Sequence, residues 1–165
     1  MFSESFLNKC RALFGYQKGQ EGADDGVAYY FTDLKGKRHG RYTEYHNNGN
    51  LMAVARFRHG LVENFVELDP QTGRLLGMVE FDITHPSNEV KIETTFDAQG
   101  RATMAFNTEL FPELADEQKI WMRRAPKDRT AMLTVQANQL IFENTISQPR
   151  KHRKAAKQQH KEHQG

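Results

Sequence analysis

The chain contains a single cysteine, Cys10. No internal disulfide can form, so a reducing, cytoplasmic setting is expected. It contains no run of about 18 apolar residues, which leaves no candidate for a membrane-spanning helix. Residues 1–15 lack the long apolar core of a secretion signal. Motifs that announce a reaction are missing too. There is no Gly-x-Ser-x-Gly nucleophile turn, no phosphate-binding loop and no Gly-x-Gly-x-x-Gly turn. No His-x-x-x-His or cysteine pair offers a metal the converging ligands it needs. His39, His46 and His59 read as turn residues on a polar surface. Glu44, Glu63 and Glu67 read as carboxylates on the wet side of strands. No cofactor, metal or catalytic residue is therefore expected, and the chain is not read as an enzyme. An apolar fraction of 38% is low for a thick two-layer core. It suits a single sheet that keeps one face wet.

What the sequence does have is internal repetition. Residues 40–51 are echoed by residues 64–75, with Gly49 falling on Gly73 and Leu51 on Leu75 at an offset of 24. Phe57 falls on Phe81 and Gly36 on Gly60 at the same offset. A fixed offset of this size signals stacked supersecondary units. Each unit reads as a β-hairpin. Residues 41–45 alternate about Tyr42, and Asn47, Asn48 and Gly49 supply the positive φ that a tight reversal needs. Leu51, Ala53, Ala55 and Phe57 then share one face of the returning strand. Tyr29-Tyr30-Phe31 looks like half of an earlier unit, and residues 89–101 like a later one. Hairpins paired side by side bury one shared apolar face, which none could do alone. The repeat predicts that Tyr42 and Val66, 24 apart, face the same side, and that Gly49 has positive φ.

The stretch 36–51 resembles the MORN-like repeat, in the variant found in bacterial YwqK-family antitoxins. Gly40, Tyr42, Tyr45, Asn48, Gly49, Leu51, Phe57 and Gly60 carry the resemblance. In the second copy Asn64 replaces the leading glycine, and Val66 and Asp69 replace the tyrosines. The resemblance covers residues 26–105 and implies a sheet of hairpins. Its pattern is structural and brings no catalytic residue.

The expected fold is mainly β (α+β). It comprises a single-layer antiparallel sheet of repeat hairpins, an N-terminal amphipathic helix, and a C-terminal helix plus hairpin. Residues 1–15 form the first helix, with Phe6, Cys10 and Leu13 on one stripe. It is either a lid on the sheet, an anchor on a membrane surface or a docking helix for a partner. Residues 16–25 read as a linker, 26–106 as the sheet, and 107–146 as a cap. Within the cap, Pro112 to Arg124 reads as a helix that Pro126 ends. Residues 131–135 and 140–146 then alternate as two strands. Residues 147–165 read as a disordered basic tail.

Charge divides the chain. The tail has Arg150, Lys151, Arg153, Lys154, Lys157 and Lys161 against Glu162, a net of +5 that leaves −3 for the rest of a chain of total charge +2. The expected function is non-catalytic binding of a protein partner through the sheet, as an antitoxin or immunity-type factor. Arg41, Tyr45, Arg56 and Arg58 are the candidate contacts. The alternative is binding of nucleic acid or an anionic lipid surface through the tail, by neutralising phosphates. An enzyme of unrecognised type is the remaining class.

Overall fold

The computed structural model describes residues 17–23 and 25–147. Eight antiparallel strands lie side by side in chain order: β1 (Gln17–Ala23), β2 (Gly26–Thr32), β3 (Arg38–His46), β4 (Leu51–Arg58), β5 (Leu61–Leu68), β6 (Leu75–Phe81), β7 (Val90–Phe96) and β8 (Ala102–Phe106). Two helices follow, α1 (Leu114–Met122) and α2 (Pro126–Asn144). The sheet of hairpins is the architecture that the repeat predicts.

The turns follow the glycines. Gly49 has φ +87° and Gly73 +74°, in the left-handed region where a side chain would be strained. Asp33 and Asp97 begin two turns of Asp-x-x-Gly form. Asp33 Oδ1 accepts from the amides of Lys35 and Lys37 at 2.9 and 3.0 Å. Asp97 Oδ1 accepts from those of Gln99 and Arg101, both at 2.9 Å. These amides hold both carboxyl groups below the usual aspartate range, with the His59 side chain the largest influence at Asp33.

Pairing runs in rows across the strands. Tyr29, Thr43, Val54, Val66, Met78, Thr94 and Met104 are successive partners from β2 to β8. The neighbouring row, Tyr30, Tyr42, Ala55, Phe65 and Val79, points the other way. Tyr42 and Val66 therefore lie on opposite faces, against expectation. The cause is one residue in a turn. The first turn closes from the His46 amide to the Asn50 carbonyl, the second from the Asp69 amide to the Arg74 carbonyl, which is one residue longer. The 24-residue offset holds for the returning strands but falls one short in the outgoing ones. Tyr42 thus corresponds to Phe65, and a shift of one residue turns a side chain to the other face.

The second correction concerns the C-terminal region. Residues 131–135 and 140–144, expected as parts of two strands, lie in the single helix α2, and 145–146 follow it in irregular chain. Pro126 does not block a helix here but begins one. Its missing amide costs nothing in a first turn, and Ala125 before it is extended at φ −59° and ψ 142°. Leu133, Ala137, Leu140 and Asn144 recur at helical spacing. Leu133 and Ala137 pack with Val54, Val66, Met78 and Phe96 in the principal core. That burial overrides the weak helix propensity of Thr130, Thr134 and Val135.

The third correction is β1, expected as linker. It pairs with β2 along its whole length. Gly19 is needed there, because a β-carbon would lie 2.3 Å from the Tyr30 ring. The expected helix at 1–15 and all of the expected tail at 147–165 except Ser147 lie outside the described residues.

Candidate functional site

The covered face of the sheet has two halves. Over one half α2 crosses the strands and closes the core. Beyond it, where β5, β6 and β7 run past the helix, a cleft of about 390 Å³ remains. Met78, Ile92 and Thr94 from the sheet and Leu133 from α2 are its buried lining. Trp121 from α1 and Leu140 from α2 form apolar walls. Glu80, Asp82, Glu117 and Gln136 stand at the mouth, together with Lys91 and Glu63.

The charges at the mouth do not cancel. Glu63 is engaged by Arg58 Nη2 at 3.2 Å and Arg56 Nε at 3.5 Å. Lys91 Nζ lies 3.8 Å from Glu80 Oε1. Lys91 is the one cation among the cleft residues, against Glu63, Glu80, Asp82 and Glu117, and its charge also acts on Asp82. The Asp82 carboxyl is held below the usual range, first by the Thr84 hydroxyl, which donates to it at 2.7 Å, then by the Thr84 amide at 3.0 Å. It stays ionised at neutral pH. Asn64 Oδ1 is buried in the sheet wall without a hydrogen-bond partner. The cleft thus joins an apolar floor to an acidic, acceptor-rich rim, which matches a cation on an apolar stem such as a lysine or arginine side chain.

The structure separates the four residues that sequence grouped as contacts. Arg56 and Arg58 stand beside the cleft through Glu63, with side chains 48% and 56% exposed. Arg41 and Tyr45 serve the chain leaving α2. Arg41 Nη1 donates to the Thr145 carbonyl at 3.2 Å, and Tyr45 OH to the Ile146 carbonyl at 2.8 Å. The tail residues Arg150, Lys151, Arg153, Lys154, Lys157 and Lys161 lie outside the described residues. Sequence reasoning missed Asn64, Glu80, Lys91, Trp121 and Gln136. The alternation in β6 and β7 signals which residues share a face, but nothing local brings α1 and α2 over them.

A second polar group lies near the β2–β3 and β4–β5 turns. His59 Nδ1 is 2.8 Å from Asp33 Oδ2, and the His59 ring packs 4.2 Å from that of His39. The His39 Nδ1 accepts from the His59 amide at 3.1 Å. Among the described residues no three His, Cys, Asp or Glu side chains are placed to hold a metal ion. Among them, too, no helix is long and apolar enough to cross a membrane.

No protein-family model, curated protein or solved structure matches the chain. Function has to be argued from the geometry.

Proposed function

We propose that the protein is a non-catalytic binding module that takes a basic segment of a partner protein on its sheet, in the cleft above β5–β7. The observation that supports this most is the pairing of an apolar floor, Met78, Ile92 and Leu133, with the acidic mouth of Glu80, Asp82 and Glu117. Lysine and arginine side chains satisfy both at once. Their stems cover apolar surface while their heads meet carboxylates and the unpartnered Asn64 oxygen. Arg56 and Arg58 border this surface and can meet acidic residues flanking the basic segment. The aspartates of lowered pKa, Asp33, Asp69, Asp82 and Asp97, are all hydrogen-bonded within turns. Hydrogen bonds within those turns lower all four, with the His59 side chain the larger influence at Asp33. The antitoxin or immunity-type role implied by the resemblance to YwqK-family antitoxins belongs to this proposal. An acidic cleft suits a factor that masks a basic surface of another protein.

The test is site-directed photocrosslinking. A benzophenone side chain at Gln136 should crosslink to a synthetic peptide of alternating lysine and leucine, and the same group at Glu93 on the other face should not. Equal crosslinking at both positions, or none at Gln136, would count against the cleft.

A further inference from the structure

The outer face of α2 is unlike that of an ordinary surface helix. Over thirteen consecutive residues, 130–142, α2 carries no charge, although solvent-facing helix surfaces are normally charged. Met132, Val135 and Phe142 point outward there, 43%, 66% and 86% exposed. They stand at i, i+3 and i+10, with exposed Gln139 between them at i+7, the spacing of a two-helix seam. The inner face of α2 is already occupied by the core through Leu133 and Ala137. The outer stripe is therefore a second apolar surface. Met122, 62% exposed, extends it, since its sulfur lies 3.1 Å from Arg129 one turn before Met132.

We propose that this face pairs antiparallel with the same face of a second copy of the chain. Charge selects both the occupant and the direction. The uncharged stretch is bounded by Arg129 at one end and Glu143 at the other. Parallel pairing would set arginine near arginine and glutamate near glutamate. In an antiparallel pair, Met132 can lie opposite Phe142 of the second copy, and Val135 opposite its Gln139. Arg129 then sits within two residues of the second copy's Glu143, about 3 Å along the axis, inside the reach of a guanidinium. The alignment creates two methionine–phenylalanine contacts and two ion pairs related by the twofold axis. A single helix face buries less than a permanent interface does, so the dimer forms at about micromolar concentration rather than nanomolar. The proposal does not rest on the cleft, since none of Met132, Val135, Gln139 and Phe142 lines it.

Sedimentation equilibrium of the full chain tests it. A monomer–dimer equilibrium is expected, weakened at least about tenfold by Phe142→Glu and by Val135→Lys, because a charge would be buried in the seam. Both side chains are exposed in the monomer, so the thermal melt of dilute protein should not change. If Phe142→Glu alters the fold, Phe142→Ser provides the same comparison without a charge. Arg129→Glu and Glu143→Arg should each weaken the dimer, and the double variant should restore it. A chain that stays monomeric up to about 500 µM, far above the range expected of a specific interface, overturns the proposal. So does an association that survives both Phe142 variants. Failure of the double variant to restore pairing overturns the antiparallel arrangement.

Discussion

Thr43 and Ile146 are bonded by side chain to backbone across 103 residues: the Ile146 amide donates to Thr43 Oγ1 at 2.6 Å. The same hydroxyl donates to the Asn144 carbonyl at 3.0 Å. With Arg41 and Tyr45 on the same face of β3, it fastens the chain leaving α2 to the sheet. Ile146 is thereby fully buried beside Tyr29 and Phe31.

Thr43→Val keeps the shape and removes the hydroxyl. It leaves a buried amide and a buried carbonyl without partners, a loss of about 1–3 kcal/mol for each group stranded. Urea unfolding should show a lowered midpoint with an unchanged slope. A midpoint equal to that of the parent would mean that Thr43 does not hold the segment.

Gly49 is the sharpest test of the turns. At φ +87° a β-branched residue is strained, so Gly49→Val should destabilise by about 1 kcal/mol or more. Gly49→Asn should cost less, because asparagine tolerates this region. Equal melting temperatures for the two variants would argue against a backbone origin.

The sheet was legible because glycine recurrence and alternating apolar residues are local signals. Tyr42 was assigned to the wrong partner because a one-residue difference in turn length is invisible to an offset anchored on Gly49 and Gly73. Strand β1 was missed because its composition, QKGQEGA, has no apolar alternation, and its pairing comes from β2. Helix α2 was misread because Ala131, Leu133 and Val135 fit a period of two as well as they fit a helix. Of the cleft, Arg56 and Arg58 were found at its border. The rest joins β5–β7 to helices far along the chain, and only packing reveals that.

Acid should weaken the fold through His39. Burial lowers its pKa from the ordinary 6.5, helped by the charges of His59, Arg56 and Arg58 and opposed by Asp33. The neutral ring is also the one whose Nδ1 can accept from the His59 amide. The unfolded chain binds this proton more readily, so the stability from His39 is complete above about pH 6.5 and is lost as pH falls below it. His39→Asn should flatten the stability profile in that window, as read by urea titrations at pH 7.5, 6.5 and 5.5. A profile as steep as the parent's would place the acid sensitivity elsewhere.

Trp121 is the chain's only tryptophan, and it lines the cleft. It also packs on the principal core and under Arg124, so its emission is read against a thermal melt that should not fall on titration. Titration of the full chain with the lysine–leucine peptide, at physiological salt, is the most direct measurement of the central claim. A saturable change in Trp121 emission is predicted, weakened strongly in the Glu80→Lys, Glu117→Lys double variant and absent with a glutamate–leucine peptide. Emission that stays flat, or that responds equally to both peptides, would contradict a cleft built for a basic partner.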